Sequence, residues 1–271
     1  PVPFTSMLVD DCIRKGKNFH QYGAKYNTPL ICPVGVATCA DSIVAIKNLV
    51  FEEKNFTLGK IVSTLQSNYE GPEGEYTRQI LLNTAPKYGN DDDSADSICK
   101  DLVATLSCIM RKYHNAVGSP YAPNVIPTTT HVHFGSLTAA TPDGRKAGEP
   151  MSEGVSPAQG RDINGPTSVA KSVTKLPLAK CYGALLNQKF NPTVLSGEEA
   201  VKKFAQLWRT YFFLGGYHVQ FNIISAETLK EAQEHPEKYR NLIVRVAGYS
   251  DYFVRLSRDV QDEIIKRTEH C

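Results

Sequence analysis

Residues 242–253 read LIVRVAGYSDYF, a run of apolar and aromatic side chains around one glycine, Gly248, with Arg245 three positions before it. Glycine weakens a strand and leaves nothing to pack in a core. A segment of this composition therefore needs a reason to carry one. Positive φ or a close backbone approach is one reason, and composition alone favours it. Chemistry at the α-carbon is another. Removing hydrogen from the Cα of glycine gives a radical stabilised jointly by the neighbouring amide nitrogen and carbonyl. With no Cβ the centre can flatten without a clash, and an apolar, tightly packed loop would shield it from water and oxygen.

Upstream, YHVQFNII (217–224) alternates strictly, with Val219, Phe221 and Ile223 on one face and His218, Gln220 and Asn222 on the other. That period predicts a strand. Its polar face either meets solvent or lines a polar cavity, as inside a barrel. Before it, Phe204, Leu207, Trp208 and Tyr211 recur at helical spacing, and Gly215-Gly216 ends that helix. After it, Ser225 caps a helix through Glu234 that Pro236 closes. The run 242–246 reads as a strand or an extended buried loop. Ser257 caps a last helix with Val260, Ile264 and Ile265 facing inward.

The first third reads as mostly helical. Over 37–50, Ile43, Ile46, Leu49 and Val50 fall along one face, with Asp41 or Ser42 near the helix start. Residues 58–66 and 98–113 give two more amphipathic helices. Between them KYGNDDDSAD (87–96) lacks the alternating ligands and glycine of an EF-hand and reads as a solvated, helix-capping loop. The middle, 115–167, is rich in Gly, Pro, Thr and Ser. TPDGR (141–145) is a turn, since Pro142 presets φ and Gly144 permits positive φ. Interleaved Val132, Phe134, Leu137, Met151 and Val155 argue that these loops are ordered. The sum is a mixed α/β architecture whose strands lie far apart in sequence.

Hydrophobic residues make up 41% and charged residues 21% of 271, close to an average globular protein, and the net charge of +2 calls for neither nucleic acid nor a membrane surface. No stretch is apolar enough for a bilayer span and no signal peptide opens the chain, which favours a cytoplasmic protein. Seven scattered cysteines without a C-x-x-C pair read as free thiols in a reducing compartment. The opening PVPFTSMLVDDC has no initiator methionine and reads as a piece of something longer.

Several site patterns are missing: no GxGxxG after a strand, no Walker lysine loop, no HExxH and no GxSxG. His131 and His133 would point to one side of a strand, but no third ligand follows at suggestive spacing. They read as pocket lining or packing, and no metal is expected.

RVAGY (245–249) resembles the glycyl-radical signature of the pyruvate formate-lyase superfamily, and the resemblance runs through the chain. It includes YGAKYN (22–27), APKYGNDDD (85–93), PTTTHVHFG (127–135), ATPDGRKAGEP (140–150), DINGPTS (162–168), LLNQKF (185–190), HVQFN (218–222) and DEIIKRTEH (262–270). LLNQKF and HVQFN are most similar to the branch of glycerol and propanediol dehydratases, choline trimethylamine-lyase and hydroxyproline dehydratase.

The resemblance implies that Gly248 stores the radical, with Arg245, Val246, Ala247 and Tyr249 as its shielding loop. It implies that the glycyl radical takes hydrogen from a cysteine, and that the thiyl so formed abstracts hydrogen from a small polar substrate. In the eliminating branch the substrate radical then loses water or an amine. Thr128, Thr130 and His131 match a loop bordering the substrate pocket. No cofactor is expected to be bound during turnover; the radical is installed by an S-adenosylmethionine-dependent iron–sulfur activating enzyme.

None of the cysteines has the G-C-x-E context of the family's thiyl residue, so that cysteine is expected outside this chain. The implied fold is the C-terminal portion of a ten-stranded α/β barrel with helices outside. Residues 1–225 would belong to the barrel, including the pocket segment 115–167 and the helix and strand of 196–224, and 226–271 would form the glycyl radical domain. Expected partners are the substrate, the activating enzyme and the part carrying the thiyl cysteine, with a homodimer when complete and no nucleic acid or membrane. The location is cytoplasmic, with a bacterial microcompartment as one setting. Two alternatives stay open: a member that cleaves carbon–carbon bonds, as formate C-acetyltransferase or arylacetate decarboxylases do, or a non-catalytic radical-domain module complementing a partner chain.

Overall fold

The computed structural model describes all 271 residues. Eight short strands are present: β1 (Leu30–Ile31), β2 (Ala122–Val125), β3 (Gly183–Ala184), β4 (Asn187–Phe190), β5 (Gln220–Ile223), β6 (Ile243–Arg245), β7 (Ser250–Tyr252) and β8 (Glu269–His270). Strands β1, β2 and β3 pair in parallel, and β4 lies parallel between β5 and β8. The run Gly183–Phe190 joins the two sheets, since its first residues pair with β2 and its last with β5. Only β6 and β7 are antiparallel, as a hairpin.

Parallel strands covered on both faces normally read as apolar runs. Strand β4 is buried throughout yet reads Asn-Gln-Lys-Phe. Phe190 meets an aromatic cluster with Phe204, Trp208 and Phe221, where Phe190–Phe204 and Trp208–Phe221 centroids lie 5.1 and 5.0 Å apart. Phe204 and Trp208 come from the helix Glu198–Phe213, at the expected spacing. The polar residues of β4 face a hydrogen-bonded cluster described below.

In the first third, the helix Leu58–Gln66 forms where expected, whereas the helix expected over 98–113 runs Asp93–Met110 and takes in the end of the acidic loop. Asp92 caps the second, its Oδ1 accepting from Ser94 N–H at 2.9 Å, so the acidic loop does bind a helix start. The helix over 36–52 departs from expectation. It begins at Val36 after Gly35 and passes into a π-helical stretch at Lys47–Glu52. Its buried face is Ala37, Ala40, Val44, Ala45 and Leu49, while Ile43 is exposed. The small face lets it lie close to the helix Asp93–Met110, and the wider π turn breaks the 3.6-residue period beyond Ile46. Asp41 is not near a helix start; it is buried in mid-helix and its Oδ1 accepts from Tyr88 N–H at 2.8 Å. Burial pushes its carboxyl up to about 7.

His131 and His133 also sit differently. They lie on a helix, Thr130–Leu137, which buries His131 and exposes His133. Near the C-terminus, Ser225 caps Ala226–Glu234 by accepting from Thr228 N–H at 3.1 Å. Ser257 holds the cap position of Arg258–Lys266 but makes no side-chain cap bond. These two helices and the hairpin share a core of their own, formed by Leu229, Ala232, Val244, Val246, Phe253, Val260 and Ile264 with Val132. At the opposite end of the order, β1 is an edge strand whose Leu30 and Ile31 are exposed. No helix is long and apolar enough to cross a membrane.

Candidate functional site

Gly248 lies at the tip of the β6–β7 hairpin. Arg245 pairs with Ser250, and Val246 N–H donates to Tyr249 C=O at 2.9 Å, which leaves Ala247 and Gly248 as the connection. Gly248 has φ +81°, a conformation that glycine adopts without penalty. Space does not exclude a side chain: a Cβ there would sit 3.7 Å from Leu185 Cδ1 and 3.9 Å from Ile126 Cγ2, ordinary contact distances. Gly154 differs, because a Cβ would stand 2.2 Å from Leu185 C=O. The backbone conformation alone therefore asks for glycine at 248.

Shielding by this chain is partial. Val246 and Ala247 are buried, because Val246 points into the small C-terminal core. Gly248 itself is exposed and Tyr249 is 39% exposed, since the tip projects past that core. Of the expected shielding loop, Val246 and Ala247 are buried, Arg245 is half-buried and Tyr249 is exposed within these residues.

The tip is held from beneath by the polar face of β5, which is buried, so the solvent-facing reading of that stripe does not hold. Asn222 grips the backbone of Arg245 twice: its Oδ1 accepts from Arg245 N–H and its Nδ2 donates to Arg245 C=O, both at 2.7 Å. Gln220 Oε1 accepts from Gly248 N–H at 3.2 Å and from Arg245 Nε at 2.9 Å. Gln220 Nε2 in turn donates to Asn187 Oδ1 on β4. Asn187 Nδ2 donates to Val246 C=O and to Glu153 Oε2.

The same Val246 carbonyl accepts from Arg267 Nη1 at 2.9 Å. Arg267 forms a two-pronged pair with Glu263 one helical turn earlier, with Nε–Oε1 at 3.0 Å and Nη2–Oε2 at 2.7 Å. His131 Nε2 stands 3.4 Å from Glu263 Oε1. Burial would raise the Glu263 carboxyl, but Arg267 and His131 outweigh it and hold it below the ordinary carboxylate range. At Glu153 burial wins over the same two neighbours and the carboxyl is pushed up. The pair therefore divides into one ionised carboxylate and one that retains its proton more readily. A cavity of about 20 Å³ among Glu153, Asn187, Gln188, Glu263 and Arg267 has room for about one water.

The three expected pocket residues separate. Thr128 and Thr130 are exposed, with both hydroxyls donating to Pro127 C=O, and Thr128 has φ +54°. His131 is fully buried against Glu263 and lines no open surface. Ile126, at the start of this turn, lies beside Gly248 together with Leu185. The polar holders Gln220, Asn222, Asn187, Glu153, Glu263 and Arg267 were not picked out as site residues by sequence reasoning. The alternation of 217–224 and the repeated polar run in LLNQKF were the available signals. No three His, Cys, Asp or Glu side chains are arranged to hold a metal ion.

The pyruvate formate lyase-like family model matches residues 1–135, and the glycine radical model matches 151–254. The chain is 46% identical to trans-4-hydroxy-L-proline dehydratase of Clostridioides difficile, an alignment covering 99% of this chain and 34% of that protein. It is 44% identical to isethionate sulfite-lyase of Nitratidesulfovibrio vulgaris, over 99% of this chain and 33% of that one. Among solved structures it is similar to the glycerol-bound B12-independent glycerol dehydratase from Clostridium butyricum, with a TM-score of 0.93, 44% identity, and coverage of 100% of this chain and 34% of the other. The chain thus spans about one third of the length of the relatives it matches. The mixed α/β fold with parallel strands is a portion of that larger barrel fold, as expected.

Proposed function

Because the chain belongs to the pyruvate formate lyase-like glycyl radical enzymes, we propose that Gly248 is its radical-storing residue. We assign it to the part of a lyase that removes water or an amine from a small polar substrate. The observation that carries this reading is the construction around Gly248: a glycine that steric space does not demand, on a hairpin tip whose backbone is pinned by four buried polar side chains. Residues 226–271, whose small core also takes in Val132, form the radical-bearing unit, and 1–225 contribute to the barrel.

In this reading an S-adenosylmethionine-dependent iron–sulfur activating enzyme removes one hydrogen atom from Gly248 Cα. A cysteine outside these residues then gives its S–H hydrogen to the Cα, so the C–H bond re-forms and the unpaired electron moves to sulfur. Covering Gly248 from solvent between these events falls to residues outside this chain. Arg245 and Tyr249 flank the tip, while Thr128 and Thr130 are assigned to the border of the substrate pocket. His131 acts from within, as a neighbour of Glu263. A homodimer and a cytoplasmic setting complete the proposal.

Anaerobic activation of the wild-type protein and of Gly248→Ala tests this. Wild type should give the electron paramagnetic resonance doublet of a carbon radical bearing one hydrogen, and the variant none. An unchanged doublet in the variant would place the radical elsewhere.

A further inference from the structure

We propose that Gln220 is a positioning residue that holds the Gly248 amide during radical formation and tunes the radical through its hydrogen bond. This rests on the reading of Gly248 as the radical site.

Neighbouring groups fix the orientation of the Gln220 amide. Asn187 Nδ2 faces two acceptors, the Val246 carbonyl and the Glu153 carboxyl, so Asn187 Oδ1 must point to Gln220. Gln220 meets it with its Nε2 as donor. Its Oε1 is thereby turned toward Gly248 N–H, and Arg245 Nε at 2.9 Å binds the same oxygen. The Gln220 side chain is buried, so its acceptor has no water to turn to.

The resting backbone is not yet suited to the radical. Conjugation with the amide nitrogen requires the half-filled orbital on a flattened Cα to lie parallel to the nitrogen lone pair, which needs φ near 180° or 0°. At φ +81° that orbital would lie close to the peptide plane and gain little from nitrogen. Formation of the radical must therefore rotate the chain about N–Cα. The peptide preceding Gly248 is anchored by Gln220 and by buried Val246 and Ala247, whereas Tyr249 is tied by its carbonyl, which accepts from Val246 N–H at 2.9 Å. The rotation is taken up on the Tyr249 side, at the expense of that carbonyl bond, and the N–H···Oε1 bond survives it. An acceptor on that N–H draws its proton and makes the nitrogen a better donor to the electron-poor Cα, moving spin density from carbon to nitrogen.

The test compares the activated wild-type full-length enzyme with Gln220→Leu and Gln220→Glu, using 15N-labelled protein and electron–nuclear double resonance. Gln220→Leu should lower the 15N coupling and widen the α-hydrogen splitting. Gln220→Glu must carry a proton to meet Asn187 Oδ1, and a protonated carboxyl accepts more weakly than an amide, so both should shift in the same direction as in Gln220→Leu but by less. Couplings identical to wild type in both variants would overturn the proposal. If Gln220→Leu does not fold, the Glu variant decides alone by the sign of its shift. Absence of any doublet in the wild type would overturn the underlying reading of Gly248 and this inference with it, whereas a normal wild-type doublet with unshifted variants overturns only the role of Gln220.

Discussion

The carbonyl of Val246, two residues before Gly248, is bound by the guanidinium of Arg267 at 2.9 Å, from a helix end 21 residues further along the chain. The same guanidinium forks onto Glu263, which is 1% exposed, so one cation both neutralises a buried carboxylate and anchors the hairpin. Breaking one side of such a pair leaves the other charge buried and unpaired, which costs about 3–5 kcal/mol. Arg267→Leu should therefore lower the unfolding free energy from urea titration by an amount of that order. Arg267→Lys should recover only part, because an ammonium cannot bind Glu263 in two prongs while reaching Val246. A loss in Arg267→Leu below about 1 kcal/mol, the range of exposed pairs, would contradict the account.

Asn222 supplies both partners of the Arg245 backbone, so its loss should loosen the hairpin locally. Asn222→Ala leaves one N–H and one C=O without their partners, at about 1–3 kcal/mol for an unsatisfied buried group. Hydrogen exchange over residues 243–252 should accelerate in this variant while the helix Asp93–Met110 keeps its protection. Uniform acceleration over both segments would show that the clamp is not specific to the hairpin.

The two glycines near Leu185 should behave differently. Gly248→Ala meets no clash and carries only the positive-φ penalty, about 1–2 kcal/mol. Gly154→Ala drives a methyl into the Leu185 carbonyl and should yield little folded protein. Equal thermal midpoints for the two would contradict the geometry.

Acid stability should depend on His270. Its Nε2 faces Asp162 Oδ2 at 3.6 Å, with Lys189 on the neighbouring strand. Burial, helped by Lys189, holds the imidazole down to about 4 against an ordinary 6.5. The unfolded chain then binds the proton first, so this contribution to stability is full above about 6.5 and is lost as pH falls toward 4. Asp162, pushed up to about 6 by burial, has the opposite sign: its contribution grows as pH falls from about 6 toward 3.8. Removing the imidazole isolates the first effect. Between pH 7 and 5, wild type should lose more stability in urea titrations than His270→Asn, and parallel losses would contradict the assignment.

Much of the local structure was legible because its causes are local. The cap at Ser225, the alternation in β5 and the Gly215-Gly216 stop are decided within a few residues. The holding network is not. Asn187 meets Gln220 across 33 residues, Glu153 meets Asn187 across 34 and Asn222 meets Arg245 across 23. Alternation told which residues of β5 share a face, but which face is covered depends on these distant partners. Asp41 was misread for the same reason: an acidic residue early in a helical run suggests a cap, while its real partner is the Tyr88 amide. Gly248 was found through resemblance, and its φ of +81° shows that the plain conformational reason holds beside the chemical one.

Locating the radical on the chain itself is the most direct check. Oxygen adds to a carbon-centred backbone radical and leads to scission at that residue, so anaerobically activated protein exposed to air should be mapped by mass spectrometry. The account predicts a cut at Gly248 that requires activation and is absent in Gly248→Ala. A cut at another residue, or the same cut in unactivated protein or in the variant, would contradict it.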